Sequence, residues 1–326
     1  MADDHRARAF WIASPGRGEI RVETLAEPDV DQVVVRALYS GISRGTEALV
    51  FRGGVPASER ERMRAPFQHG DFPGPVKYGY ASVGRIERGP NGLQDRHVFV
   101  LHPHQTRYVV PSHAVHLIPD DVPPARAVLT ANLETAINGL WDARPHVGDR
   151  IAVVGGGTVG CLVAWLAGGI RGCDVEIVDT NPARASIAGT LGVRFALPDR
   201  ASANADVVIH TSGSPSGLQT ALRLAGFEAT IVEMSWYGAQ DVSLALGEAF
   251  HSRRLTIASS QVSRVASSQR ARWDAPRRMQ LALALLAHPA LDQLITGESE
   301  FDALPDVMAK LAHDPGNTLC HRIRYP

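Results

Sequence analysis

Ile151-Ala-Val-Val-Gly155-Gly-Gly157-Thr-Val-Gly160 carries an apolar, strand-like run straight into the pattern Gly-x-Gly-x-x-Gly. A second apolar run, Val175-Glu-Ile-Val-Asp179, ends in a carboxylate 19 residues beyond Gly160. The glycine pattern alone is common, and its surroundings give it weight. A strand precedes it, a helix is expected from Val159 to Leu166, and an acid closes the next strand. Gly155 suits a tight turn, Gly157 lets a backbone approach a pyrophosphate, and Gly160 lets the helix pack closely on the strand. Thr158 and Val159 open that helix, whose first N–H groups and partial positive charge favour phosphate. Asp179, followed by Thr180, can accept hydrogen bonds from the adenosine ribose hydroxyls and repels a 2′-phosphate. NAD(H) is therefore expected over NADP(H).

The rest of the chain is consistent with a soluble globular protein of about two domains. Its 326 residues suit about two domains, and 44% hydrophobic with 21% charged residues is ordinary globular composition. A net charge of −1 gives no reason to expect nucleic acid or an anionic membrane as partner. No apolar run reaches spanning length, and Met1-Ala-Asp-Asp-His-Arg lacks the design of a signal peptide. Cys161, Cys173 and Cys320 are odd in number and widely spaced, which suits a reducing compartment, so a cytoplasmic protein is expected.

Residues 1 to about 125 hold short β-like runs: Val33–Tyr39, Ala81–Glu87, His97–Leu101 and Tyr108–Val110. Between them the polar, proline-flanked Pro56–Pro75 reads as a surface insertion. From about 127 the pattern changes. A helix over Ala127–Ala143 is followed by strands at 151–155, 175–179, 206–210 and 229–234, with helices near 158–169, 182–191 and 215–225. Such alternation implies right-handed βαβ units, an α/β fold with a doubly wound parallel sheet. A long helix is expected over Arg270–Ala287 and a last strand over Leu319–Arg324.

Ser40-Gly-Ile-Ser-Arg-Gly-Thr-Glu47, Gly79-Tyr-Ala-Ser-Val-Gly84, Val147-Gly-Asp-Arg-Ile-Ala-Val-Val154 and Ile295-Thr-Gly-Glu-Ser-Glu-Phe301 together resemble the medium-chain dehydrogenase/reductase superfamily. Within it, Ser-Gly-Ile-Ser-x-Gly-Thr-Glu looks most like members akin to bacteriochlorophyllide dehydrogenase. The resemblance implies a GroES-like catalytic domain at 1–126 and 263–326, with a Rossmann NAD-binding domain at 127–262. It also implies a homodimer built on a Rossmann sheet edge, for which Leu255–Ser260 is the candidate strand.

Zinc-dependent members of that superfamily hold metal with Cys, His and a further Cys, Asp or Glu. Those positions fall here on Ser43 or Arg44, on Tyr80 with Ala81 after it, and near Ala131. None supplies the thiolate, imidazole or carboxylate that tetrahedral zinc requires. His97, His102 and His104 cluster in sequence but lack partner ligands. Zinc independence is therefore expected, and a hydrogen-bond donor must take the place of the Lewis acid. Tyr80, at the position of the zinc-binding His, is the leading catalytic candidate, with Lys77 or Arg44 as a cation that would lower its pKa. By resemblance Thr46 is the proton-relaying hydroxyl. Glu47 is expected to orient Arg44 or cap the following helix.

On the cofactor side, Thr211, Ser212 and Gly213 should by resemblance pass the adenosine and ribose. Glu233, Met234 and Ser235 end the next strand, where ligands of parallel sheets sit. Trp236 and Tyr237 follow as candidate pocket walls. Arg184 is expected beside the adenine, and keeps NADP(H) possible. The expected activity is hydride transfer between NAD(H) and an alcohol or carbonyl of a small or medium-sized metabolite. An enoyl reductase, or a nucleotide-binding protein without turnover, stands as the alternative.

Overall fold

The computed structural model describes residues 5–90 and 92–326. It divides the chain into a continuous unit, Asn132–Ala282, and a discontinuous one that runs to Ala131 and resumes at Leu283. Both boundaries fall later than 126/127 and 262/263. Ala127, Val128 and Leu129 are fully buried, and Val128 lies against Gly41, so they stay with the first unit. At the second boundary the reason is Arg278, only 2% exposed. Its guanidinium donates to Glu134 Oε1 (3.1 Å) and to the carbonyl of Val262 (2.6 Å), and also reaches Asn138. A buried cation needs such partners, which ties 263–282 to the continuous unit.

The continuous unit is a six-stranded parallel sheet. Its elements are β1 (Arg150–Val154), α1 (Thr158–Gly168), β2 (Asp174–Val178), α2 (Arg184–Thr190), β3 (Arg194–Ala196), β4 (Ala205–His210), α3 (Pro215–Leu224), β5 (Ala225–Glu233) and β6 (Thr256–Ser259). The strand order β3-β2-β1-β4-β5-β6 reverses between β1 and β4, the point at which doubly wound sheets bind dinucleotides. Valines and isoleucines fill β1, β2 and β4 because these strands are covered on both faces. The register sets the site: Val154 pairs with Val178 and with His210, His210 with Glu233, and Glu233 with Ser259. The residues after these ends, including Gly155, Asp179, Thr211 and Met234, therefore leave the sheet at one edge. The expected helix over Arg270–Ala287 is shorter, Ala275–Leu285. Asp274 accepts from the Arg277 amide at 2.8 Å and Pro276 follows, which fixes the start.

The discontinuous unit contains two sheets. Arg17–Thr24, Arg6–Ser14, Val76–Lys77 and His69–Gly70 form one. In the other, the strand Gln32–Ile42 is central, pairing antiparallel with Ser82–Arg88, Arg107–Pro111 and Cys320–Arg324. Ile295–Glu300 adds a parallel strand beyond the last of these, so the sheet is mixed. The segment Pro56–Pro75 is not all surface, because Phe72 is buried against Tyr78 with ring centroids 5.6 Å apart. Among the described residues no helix is long and apolar enough to cross a membrane.

Candidate functional site

The glycine turn after β1 is sterically committed. Gly155 has φ +111°, a conformation that side chains disfavour, and a Cβ there would lie 2.6 Å from the Ser212 amide nitrogen. A Cβ on Gly160 would lie 1.8 Å from the Gly155 carbonyl oxygen, so α1 sits against the turn only because residue 160 is glycine. The helix begins at Thr158 and Val159, with Gly157 as its N-cap. Asp179 Oδ2 accepts from the Gly156 amide at 2.6 Å and Oδ1 from the Asn181 amide at 2.7 Å. The carboxylate is thereby fixed beside the turn, each oxygen keeping a second lone pair for a ligand hydroxyl. Thr180 follows it and is exposed. Arg184 is 4% exposed, and the Gly156 Cα faces its side chain. These residues fit a dinucleotide: a tight turn, a helix N-terminus and an acid on the neighbouring strand.

Beside that turn lies a second polar group. Thr211 Oγ1 donates to the Gly155 carbonyl at 2.8 Å, which ties the loop after β4 to the glycine turn. His210, fully buried, places Nδ1 2.7 Å from Glu233 Oε2 and Nε2 2.6 Å from Ser212 Oγ. The Ser235 amide donates to Glu233 Oε1 at 2.6 Å, the Tyr237 hydroxyl to Oε2 at 3.0 Å, and the Gly213 amide to Ser235 Oγ at 3.0 Å. Burial alone would raise the Glu233 pKa, but its bond and charge interaction with His210 and its bonds from Ser235 bring it below the usual carboxylate range. Met234 packs instead against Gly139, where a Cβ would come within 2.3 Å of its sulfur. His210 is the residue that sequence reading missed. It stands in Ile209-His-Thr-Ser, and an imidazole ending a buried strand signals a partner there.

In the discontinuous unit the helix Arg44–Phe51 starts at Ser43. Glu47, in its first turn, accepts from the Ser43 amide at 2.8 Å and meets His104 Nε2 at 2.8 Å. His104 Nδ1 is 2.7 Å from Ser40 Oγ, which is 2.9 Å from the Tyr325 hydroxyl. All four side chains are buried. Burial, reinforced by the Glu47 charge, pushes the Tyr80 phenol up to about 12, while the neighbouring Ser43 and Thr46 side chains pull it down.

That geometry corrects several expectations. No cation lowers the Tyr80 pKa. Lys77 is buried and spent on Glu23 and Gln105, each at 2.7 Å, while Arg44 reaches the Thr318 carbonyl at 2.8 Å. Of the two roles expected for Glu47, the helix start is the one that its bond from the Ser43 amide supports, and it also meets His104. His102 stacks on Tyr108 with centroids 3.7 Å apart, donates Nδ1–H toward the Pro103 carbonyl and is driven down to about 3 by burial. His104 is taken up by Glu47 and Ser40, and His97 is exposed. The side chains of Ser43, Tyr80, Ala81 and Ala131 do not fit zinc. Among the described residues, no group of three or more His, Cys, Asp or Glu is placed to hold a metal ion.

Among the solved structures that share the architecture are a short chain alcohol dehydrogenase from Escherichia coli CFT073 with NADH (TM-score 0.77, 17% identity, 98% of this chain and 99% of that one), and a protein described as a putative zinc-binding dehydrogenase from Sinorhizobium meliloti 1021 with NADP (0.78, 18%, 98% and 99%). The fold is alcohol dehydrogenase-like. In sequence, the chain is 31% identical over 125 residues to an L-threonine 3-dehydrogenase of Chelativorans sp. (strain BNC1), a match spanning 38% of this chain and only 36% of that relative. It is 28% identical over 258 residues to the 2-desacetyl-2-hydroxyethyl bacteriochlorophyllide A dehydrogenase of Rhodobacter capsulatus, covering 72% and 75% of the two chains. No family model matches.

Proposed function

We propose that this chain is an NAD(H)-dependent carbonyl reductase or alcohol dehydrogenase that interconverts a ketone and a secondary alcohol without catalytic zinc. The observation that carries the reading is Tyr80, a phenol kept neutral at the position where zinc-dependent relatives of the resembled superfamily place a metal-binding His. The dehydrogenase names of the sequence relatives support the reaction class. The bacteriochlorophyllide dehydrogenase supports a larger, cyclic metabolite as substrate.

Bound NAD(H) would supply or accept the hydride. Gly155, Gly157, Gly160 and the start of α1 would hold its pyrophosphate and Asp179 its adenosine ribose, with NAD(H) preferred because the carboxylate repels a 2′-phosphate. As the substrate oxygen gains negative character, Tyr80, beside Ser43 and Thr46, donates a hydrogen bond to it. A phenol raised to about 12 is protonated at neutral pH, which suits carbonyl reduction and makes it a poor base for alcohol oxidation. β6, an outer strand of the sheet, is the proposed homodimer edge.

Tyr80→Phe tests this reading with a panel of cyclic ketones and NADH. The variant should lose about 10²- to 10³-fold in kcat/KM, as on removal of one oxyanion donor, with the Kd for NADH unchanged. Unaltered protein should keep its activity after EDTA treatment. Full activity in the variant, or one zinc per chain needed for turnover, would refute it.

A further inference from the structure

Glu233, His210 and Ser212 form a hydrogen-bonded line whose direction the chain itself dictates. Glu233 accepts from three donors, the Ser235 amide, the Tyr237 hydroxyl and His210 Nδ1. A carboxylate has no proton to give, so Nδ1 carries the hydrogen. In the neutral ring Nε2 is then bare, and only Ser212 is there to donate to it. With its proton turned inward, the Ser212 oxygen presents lone pairs. One meets the Ser214 amide at 3.2 Å, and the other remains at an exposed position. Gly217 clears space for this arrangement, since a Cβ there would stand 2.1 Å from Ser212 Oγ and 2.8 Å from His210 Nε2. The loop itself is packed on the glycine turn, as the Gly155–Ser212 approach shows.

We propose that Glu233 and His210 are positioning residues that lock the Ser212 hydroxyl as a hydrogen-bond acceptor for a ribose hydroxyl of the bound dinucleotide. The inference rests on the dinucleotide reading above. Ser212 lies beside the phosphate-binding turn, where the donors a dinucleotide can offer are chiefly sugar hydroxyls. An acceptor there takes a hydroxyl and rejects a phosphate oxygen, adding to the discrimination supplied by Asp179. The complete burial of His210 favours this role over a nucleophilic one for Ser212, because its Nε2 has no open path to a leaving group.

Glu233→Gln reverses the line at nearly constant shape. An amide N–H facing Nδ1 moves the ring proton to Nε2, which then donates to Ser212 and turns the serine proton outward. The test measures Kd for NADH and for ADP-ribose by calorimetry in unaltered protein, Glu233→Gln, Ser212→Ala and the double variant. The ¹⁵N spectrum of His210 reports its tautomer without ligand. Each single variant should weaken both ligands about tenfold, the size of one hydrogen bond. The double variant should be no weaker than Ser212→Ala, because Glu233 acts only through the serine. The ring should carry its proton on Nδ1, and on Nε2 in Glu233→Gln. Ser212→Ala alters an exposed loop and decides the matter even if Glu233→Gln does not fold. Additive losses, an Nε2–H ring in unaltered protein, or a loss confined to NADH (a carboxamide donor) each overturns the proposal. Unchanged binding in Ser212→Ala overturns it alone, leaving the dinucleotide reading in place. Failure of unaltered protein to bind NADH overturns both.

Discussion

His102 makes the stability of the chain depend on acid. Its ring lies flat on Tyr108 at 9° and is 5% exposed, and burial drives its pKa from an ordinary 6.5 to about 3. A base whose folded pKa is depressed binds its proton more readily in the unfolded chain. Its contribution is therefore complete above about pH 6.5 and is lost as pH falls toward 3. One proton changes stability by about 1.4 kcal/mol per pH unit in that window, which gives a loss of about 2 kcal/mol between pH 7 and pH 5. His102→Phe keeps a flat ring against Tyr108 but cannot titrate. Urea unfolding at the two pH values should show the variant losing about 2 kcal/mol less than unaltered protein. His69, His116 and His321, also lowered by burial, are common to both chains and cancel in the difference. Equal losses in the two chains would mean that His102 is hydrated, or charged in the fold, and the argument would fail.

Two further outcomes follow from the proposed dinucleotide cradle. Asp179→Ser removes the charge proposed to oppose a 2′-phosphate, so the ratio of NADPH to NADH affinity should rise at least about tenfold by calorimetry; an unchanged ratio would shift the discrimination elsewhere. Gly160→Ala forces a methyl to 1.8 Å from the Gly155 carbonyl and 2.6 Å from Thr211 Oγ1. Since backbone must move, about 1–3 kcal/mol of stability and most NADH affinity should be lost, and a variant with unaltered unfolding and binding would disprove the close approach.

The Rossmann unit was legible because its signals are local. Apolar runs of five or six residues, a glycine turn and helical stretches follow one another, and β1, β2, β4 and β5 lie within a few residues of expectation. The start of β5 at Ala225 differs most, since Ala225-Gly-Phe-Glu carries no alternation to mark it. Long-range partners were not legible. Lys77 and Arg44 sit near Tyr80 in sequence, yet Glu23 and Thr318 hold them, 54 and 274 residues away. Glu47 and His104 meet across 57 residues, and neither segment names the other. The boundary at 282 depended on Arg278 finding Glu134, 144 residues upstream. His210 differs from these cases, because its partner Ser212 is two residues away and the strand end was already identified.

The pairing of Gln32–Ile42 with Cys320–Arg324 constrains how this chain comes off the ribosome. Ser40 waits for Tyr325, 285 residues further along, and Gly41 for Arg322. Asn132–Ala282 needs no later sequence for its parallel sheet and is free to condense during synthesis. The end of the strand Gln32–Ile42, residues Tyr39–Ile42, meanwhile leaves its amides and carbonyls open on one side, beside buried Ile42. Loss of the last strand would therefore leave an adhesive edge in the lobe that carries Tyr80, and truncations near the C-terminus should appear first as aggregation.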